Sequence, residues 1–197
     1  MNDESFTRAV VGDWGGGDVD DVLAALDEAL RRHRFIDASR LGVMGGSYGG
    51  FMTSWIITQT DRFKAACVGA GVTNLMSFNG TADIPGFIPD YFEAEHWQDP
   101  ELYHSHSPMF QVAGVSTPTL IQHGAKDIRV PLSQGKELYN ALKRQGVPVE
   151  MYVYPRQPHA IEEPRLLLHM KQAATDWLVR WVLGEPENSS GGHHKEE

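Results

Sequence analysis

The segment LGVMGGSYGGFMT, from Leu41 to Thr53, decides the fold that we expect for this chain. A short apolar strand, Arg40 to Gly45, runs directly into the glycine-rich turn, and a helix starts near Tyr48. This G-x-S-x-G pattern between a strand and a helix is typical of a nucleophilic serine, here Ser47, on a very tight turn. Residues two before and two after such a serine come close together, and glycine avoids their clash. A glycine-rich turn that only permits close helix packing is the alternative interpretation.

Outward from this segment, short apolar stretches alternate with amphipathic ones. This alternation predicts an α/β fold, a mostly parallel sheet flanked by helices, with reactive groups at the carboxyl ends of the strands. A long stretch, residues 73–115, is rich in aromatic and turn residues and is predicted to be irregular. The predicted strands are Arg40–Gly45, Ala65–Val72, Thr117–Gly124 and Pro148–Pro155, and the predicted helices are Asp18–Arg34, Tyr48–Thr60, Ser133–Gln145 and Pro164–Leu183.

A serine hydroxyl needs a base and an orienting carboxylate before it can act as a nucleophile. In a strand–serine–helix fold of this kind the chain order is serine, acid, histidine. Asp127 follows the third predicted strand and His159 follows the fourth, so both satisfy this order. Each could instead be an ordinary loop residue, but both lie after the correct consecutive strands. The sequence therefore predicts a catalytic set of Ser47, Asp127 and His159.

Composition excludes several other function classes. The chain has 197 residues, a formal net charge of -9 and a single cysteine. An acidic chain without a Lys/Arg cluster is a poor match for nucleic acid or an anionic membrane. No signal peptide or membrane span is recognisable, so we expect a cytoplasmic protein. His104 and His106 lack further ligand residues at suitable spacing, so we expect no metal and no cofactor.

Four stretches resemble the catalytic domain of the prolyl oligopeptidase family, especially its acylaminoacyl-peptidase-like branch. They are GDWGGGDVDD (Gly12–Asp21), GVMGGSYGG (Gly42–Gly50), SPMFQVAGVSTPTLIQHGAKDIRVP (Ser107–Pro131) and YPRQPHAIEEP (Tyr154–Pro164). The resemblance implies an α/β-hydrolase fold in which Ser47 is the nucleophile, Asp127 the acid and His159 the base. It implies that the Tyr48 main-chain N–H is an oxyanion donor. It also implies that Arg129 binds a substrate carbonyl and that Val130 lines the pocket.

The same resemblance exposes departures from the family pattern. The chain has no N-terminal β-propeller, and its start matches a point inside the hydrolase domain, so we expect a truncated domain at 1–183 and a disordered polar tail at 184–197. The segment that would supply the second oxyanion donor is missing. Main-chain N–H groups of Trp14–Gly17 could replace it, although a simple entry turn into the next helix is the plainer interpretation. The strand before Ser47 becomes a sheet edge, which rearranged N-terminal residues or a second subunit of a homodimer would cover.

These features predict a serine hydrolase that acts on short-chain carboxylic esters and, as a second class of substrate, on short or N-acylated peptides. Some aromatic rings of residues 73–115 are expected to line an acyl pocket and others to pack under a long loop. Two alternatives remain open. One is a weakly active or inactive fragment that self-associates through the sheet edge, and the other is a non-hydrolytic binding module that uses the aromatic pocket.

Overall fold

The computed structural model describes residues 4–184. The tail predicted at 184–197 therefore lies outside the described residues, apart from Gly184. The strands are β1 (Gly42–Gly46), β2 (Ala65–Gly69), β3 (Thr119–Gly124) and β4 (Val149–Tyr154). The helices are α1 (Glu4–Thr7), α2 (Gly17–Arg32), α3 (Tyr48–Gln59), α4 (Leu75–Thr81), α5 (Phe87–Phe92), α6 (Pro100–Ser105), α7 (Leu132–Arg144) and α8 (Pro164–Leu178), and α8 continues as a π-helical turn (Val179–Leu183).

The four strands form one parallel sheet in the order β1-β2-β3-β4, so the predicted parallel sheet is confirmed. The register pairs Met44 with Cys67, Cys67 with Leu120, and Leu120 with Glu150. Every residue of β3 is buried, because helices cover both faces of the sheet there. In parallel strands all carboxyl ends lie at one edge of the sheet, and this edge carries the candidate site.

Helices α3 and α7 cover one face of the sheet and α8 covers the other. On the first face Ile57 of α3 and Leu138 of α7 pack around Ile121. On the second face Trp177 of α8 packs against Leu120. Each of these side chains is at most 5% exposed. Burial of apolar surface stabilises a fold by roughly 25 cal/mol per Å², so both interfaces favour the packed sheet.

Residues 73–115 are more ordered than the sequence predicts, since they contain α4, α5 and α6. The irregular prediction was wrong here because it missed two helix caps. The Asn74 side chain accepts hydrogen bonds from the main-chain N–H groups of Met76 and Ser77. The Asp99 side chain caps α6, which has a proline in its first turn. Buried rings, chiefly Phe78, Phe92 and Tyr103, then fasten the three short helices to the domain.

Strand β1 forms one edge of the sheet. Within residues 4–184, β1 pairs only with β2, and residues 4–10 form α1 and a 3-10 turn rather than a covering strand. The expectation that rearranged N-terminal residues cover this edge was therefore wrong for the described part of the chain. Met44 of β1 is 62% exposed. Cover by a second subunit stays a prediction.

None of the helices in residues 4–184 is long and apolar enough to cross a membrane.

Candidate active site

Ser47 lies on a strained turn between β1 and α3. Its backbone angles are φ 59° and ψ −119°, a conformation that costs a non-glycine residue about 1–3 kcal/mol. The Ser47 N–H donates to the Gly69 carbonyl at 2.8 Å, and the Ser47 carbonyl accepts from Phe51 N–H at 3.0 Å. These bonds tie the turn to the neighbouring strand on one side and to the first turn of α3 on the other. The serine is thereby presented at the carboxyl edge of the sheet.

The glycines around Ser47 are not equivalent. A Cβ on Gly45 would stand 2.3 Å from the Gly49 carbonyl oxygen, so Gly45 admits no side chain. A Cβ on Gly49 would meet nothing within 4 Å, so the predicted need for glycine holds before the serine and not after it. A Cβ on Gly50 would stand 2.6 Å from the Gly71 Cα. The alternative of close packing is therefore realised as well, at Gly50.

Ser47, His159 and Asp127 form one hydrogen-bonded row. His159 Nε2 lies 2.9 Å from Ser47 Oγ, and His159 Nδ1 lies 2.8 Å from Asp127 Oδ2. Ser47 follows β1, Asp127 follows β3 and His159 follows β4. Because the strands are parallel, these three ends lie at one edge of the sheet, although Ser47 is 112 residues and Asp127 is 32 residues from His159 in the chain. The His159 side chain is 32% exposed and that of Asp127 is fully buried. The imidazole therefore stands between a buried carboxylate and the more open side of the site.

Asp127 is held as a carboxylate in spite of its burial. Its Oδ1 accepts hydrogen bonds from the main-chain N–H groups of Arg129 at 3.0 Å and Val130 at 2.9 Å. Burial by itself would raise the pKa of Asp127, but the imidazoles of His123 and His159 and the Val130 N–H outweigh it and hold the pKa well below its usual range. This contribution to stability is present above the ordinary carboxyl pKa and is lost as pH falls through the depressed one.

The loop that carries His159 is held by a glutamine that the sequence did not single out. Gln157 is 2% exposed, and its Oε1 accepts from the N–H groups of Glu162 and Glu163 at 2.8 and 3.1 Å. Its Nε2 donates to Glu163 Oε1 at 2.7 Å. The Gln157 amide thus joins the chain before His159 to the chain after it. No sequence pattern distinguishes Gln157 from an ordinary loop glutamine, because its hydrogen-bond partners come within reach only in the folded loop.

Tyr48 is the first residue of α3, where the main-chain N–H has no partner within the helix. This N–H is therefore suitably placed for a developing negative charge beside Ser47. The Tyr48 hydroxyl donates to Asp18 Oδ2, and the edge of Trp14 packs on its ring with centroids 4.8 Å apart. Burial, followed by Asp18, raises the pKa of Tyr48, so the hydroxyl stays protonated.

The Trp14–Gly17 segment is an entry turn into α2. Gly15 N–H donates to Asp18 Oδ1 at 2.9 Å, and Gly17 N–H donates to Asp13 Oδ2 at 2.9 Å. Gly16 N–H donates to the Asp13 carbonyl at 3.1 Å. The three glycine N–H groups are engaged inside the turn, which favours the plainer of the two interpretations. They do not supply the second oxyanion donor.

The two predicted substrate residues have local partners. Arg129 pairs with Asp83, with Nε 2.7 Å from Oδ1, and this partner raises the pKa of the guanidinium. Val130 is 2% exposed and belongs to the core around Trp14 and Phe51. Substrate contact by Arg129 and Val130 stays a prediction. What the structure shows for Val130 is main-chain support of Asp127.

Five of the aromatic residues in 73–115 fall into two groups. Phe78, Phe92 and Tyr103 are at most 4% exposed and belong to the core. Phe87 and Tyr91 surround Trp14 instead, with centroids 5.9 and 5.3 Å from it, and Phe87 is 36% exposed. Because Trp14 also touches Tyr48, this second group lies beside the serine. The acyl pocket remains a prediction, and these are its candidate walls.

His104 and His106 are engaged separately. His104 stacks on Phe110 with centroids 4.0 Å apart, and His106 Nδ1 lies 2.7 Å from the Trp14 carbonyl oxygen. Across residues 4–184 there is no group of three His, Cys, Asp or Glu that could hold a metal ion.

A cavity of about 350 Å³ lies away from the serine, at the far end of α3. It is lined by residues 57–61 and 113–117. Ser47 precedes the opposite end of this 12-residue helix, which at about 1.5 Å per residue puts the two roughly 15 Å apart. This cavity is therefore separate from the hydrogen-bonded row.

Comparisons with known proteins agree on one family. The model of the prolyl oligopeptidase family matches residues 2–185. An uncharacterized peptidase of Bacillus subtilis, YuxL, is 42% identical over 179 residues, covering 89% of this chain and 27% of that protein. An acylamino-acid-releasing enzyme of Arabidopsis thaliana is 38% identical over 171 residues, covering 82% of this chain and 22% of that protein.

Solved structures agree with this. An acylaminoacyl peptidase in complex with Z-Gly-Gly-Phe-chloromethyl ketone superimposes with a TM-score of 0.87 at 28% identity, covering 98% of this chain and 31% of that one. The uncomplexed acylaminoacyl peptidase of Pyrococcus horikoshii gives 0.85 at 28% identity, covering 98% and 32%. The sheet and helices described above therefore have the α/β-hydrolase architecture of these peptidases. The chain spans only between 22% and 32% of the length of these four proteins.

Proposed function

The chain belongs to the prolyl oligopeptidase family, and on that premise we propose that it is a serine hydrolase that transfers an acyl group from a substrate to water. The observation that carries the proposal is the hydrogen-bonded row from Ser47 through His159 to Asp127. The Asp127 carboxylate accepts a hydrogen bond from His159 Nδ1–H, so the Nε2 lone pair faces the serine hydroxyl. This is the tautomer that a general base requires.

The reaction then proceeds in two halves. His159 Nε2 takes the proton of Ser47 Oγ while Oγ attacks the substrate carbonyl, and the imidazolium formed is stabilised by Asp127. The Tyr48 N–H donates to the oxygen that becomes negative. Collapse of the intermediate transfers the proton from Nε2 to the leaving group and leaves an acyl-enzyme. Water attacks that ester by the same route and releases the acid.

The proposed substrates are short-chain carboxylic esters and, as a second class, short or N-acylated peptides. An ester has a better leaving group than an amide, so its hydrolysis depends less on a second oxyanion donor besides the proposed Tyr48 N–H. The N-acylated peptides are suggested by the names of the relatives, acylamino-acid-releasing enzymes and acylaminoacyl peptidases. In this proposal the rings around Trp14 accept the acyl group or side chain, and Arg129 leaves Asp83 to bind a substrate carbonyl. The reaction as proposed uses no cofactor, and the proposed location is the cytoplasm.

The second candidate is a weakly active or inactive chain that self-associates through β1. The observation that favours it is the unpaired edge of β1 within residues 4–184, which has main-chain groups available to another strand. Light scattering distinguishes the two. A monomer at all concentrations excludes association through β1.

The decisive experiment is a p-nitrophenyl ester chain-length series on the wild-type protein and on Ser47→Ala. Wild type should hydrolyse acetate and butyrate esters and should be labelled by a fluorophosphonate. Ser47→Ala should lose nearly all turnover and all labelling, because its nucleophile is gone. Ser116→Ala, a matched control at an exposed serine, should keep both. Equal turnover by wild type and Ser47→Ala would reject the proposed mechanism.

A further inference from the structure

His123 is a buried imidazole that the proposed mechanism does not use. It is the penultimate residue of β3 and is 1% exposed. Its Nε2 lies 2.8 Å from the Val130 carbonyl oxygen and 3.5 Å from Asp127 Oδ2. The ring therefore lies directly beneath the loop that presents the acid.

The contacts of His123 define which atom of the ring matters. The Val130 carbonyl can only accept a hydrogen bond, so Nε2 carries the hydrogen and donates. Among the described residues, Nδ1 is buried and has no hydrogen-bond partner. A Cβ on Gly135 of α7 would stand 2.8 Å from this nitrogen, so the helix packs directly onto it. The ring thus supplies one N–H, from Nε2, and Nδ1 carries a lone pair that no described residue contacts through a hydrogen bond.

That one N–H completes the hydrogen bonds that hold the loop carrying Asp127. Val130 donates its N–H to Asp127 Oδ1 and accepts from His123 with its carbonyl, so both of its main-chain polar groups are held. The same His123 N–H faces Asp127 Oδ2, the oxygen that bonds His159. The 2.8 Å contact is the hydrogen bond, and the 3.5 Å contact is a weaker electrostatic one. Together they orient the carboxylate towards His159.

We infer that His123 is a positioning residue: its single Nε2–H holds the Val130 carbonyl and faces the Asp127 carboxylate, and so keeps the acid aimed at His159. This inference rests on the proposed function, since it assigns a role within the same site. It requires one hydrogen-bond donor at the Nε2 position and nothing from Nδ1. A glutamine, whose amide nitrogen can reach that position, should therefore replace the histidine.

The test compares His123→Gln with His123→Leu. Turnover of p-nitrophenyl acetate is measured per fluorophosphonate-labelled serine, which corrects for any unfolded fraction. His123→Leu should lower kcat about tenfold to a hundredfold with little change in KM, because small misplacements of a catalytic group have effects of that size. His123→Gln should keep kcat near that of wild type. A role limited to packing predicts no such rescue, because leucine fills an apolar site at least as well as glutamine.

A second measurement does not depend on turnover. The hydrogen between His159 Nδ1 and Asp127 gives a strongly deshielded proton NMR signal, assigned by its loss in His159→Ala. This signal should survive in His123→Gln and shift or vanish in His123→Leu. If the leucine variant does not fold by circular dichroism, His123→Asn takes its place, since its amide is too short to reach Val130.

The outcomes separate the two claims. If Ser47→Ala matches wild type, the proposed function fails and the NMR signal alone judges the role of His123. If Ser47→Ala is inactive but His123→Leu keeps wild-type kcat and the signal, the inference about His123 is wrong. Equal loss in the glutamine and leucine variants also overturns it.

Discussion

The turn that holds Ser47 and the two loops that hold Asp127 and His159 reach the same site by different means. The turn is closed mainly by backbone contacts inside Gly45–Gly50, and the Ser47 N–H bond to the Gly69 carbonyl ties it to β2. The loops are fastened to each other across the sheet, by Ala125 N–H to the Tyr154 carbonyl and Lys126 N–H to the Gln157 carbonyl, each at 2.9 Å. The Ser47 turn thus depends mainly on local contacts, whereas the loops of Asp127 and His159 depend on the assembled sheet.

The largest expected effect is on the side of the loops. Asp127→Asn should lower kcat on p-nitrophenyl acetate by about four orders of magnitude, because an amide no longer holds His159 in the required tautomer. Steady-state kinetics measure it. Asp61→Asn, at an exposed aspartate at the far end of α3, serves as the control. A loss below tenfold would show that Asp127 does not orient the base.

The next effect tests the turn. Gly45→Ala should reduce the free energy of unfolding by about 3 kcal/mol, because its Cβ meets backbone atoms that cannot move aside. Gly49→Ala should change it by less than about 1 kcal/mol, since its Cβ enters open space and alanine favours a helix. Urea unfolding of the two variants measures both values. Similar costs at the two positions would contradict the asymmetry of this turn.

A smaller effect is expected at the loop that carries His159. Gln157→Ala removes a buried amide that satisfies the N–H groups of Glu162 and Glu163, and should cost about 1–3 kcal/mol. It should also lower kcat, because the segment that carries His159 is no longer closed. Arg156→Ala is the matched control, since it removes only an exposed ion pair with Glu163. If Arg156→Ala costs as much as Gln157→Ala, the buried amide does not hold the loop.

The smallest effect concerns α7, the helix that packs against His123. Gly135→Ala gains helix propensity but places a Cβ 2.8 Å from His123 Nδ1, so a net loss of about 1 kcal/mol is expected. Gly80→Ala, whose Cβ would meet nothing within 4 Å in α4, should instead gain up to about 1 kcal/mol. Thermal unfolding compares the two. A stabilising Gly135→Ala would show that α7 has room to move away from the imidazole.

Prediction from the sequence succeeded where a pattern has a local cause. The tight approach of Gly45 to Gly49 explains the glycine before the serine, and alternating strands and helices explain the parallel sheet. It failed for α4 and α6, whose caps at Asn74 and Asp99 were read as turn residues. Asn and Asp side chains stabilise both turns and helix N-termini. Whether a helix follows them here depends on the burial of Phe78, Phe92 and Tyr103.

By itself, then, the sequence determined the succession of strands and helices outside residues 73–115, the strained serine, and the aspartate and histidine that follow the third and fourth strands. Only the tertiary structure decided that Gly45 and Gly50 leave no room for a side chain whereas Gly49 does. It also decided that Arg129 pairs with Asp83, and that Gln157 and His123 hydrogen-bond to the loops that carry His159 and Asp127. The reason is physical. A tight turn is set by contacts within a few residues, whereas the partners of a buried polar side chain exist only after the hydrophobic core has brought distant loops together.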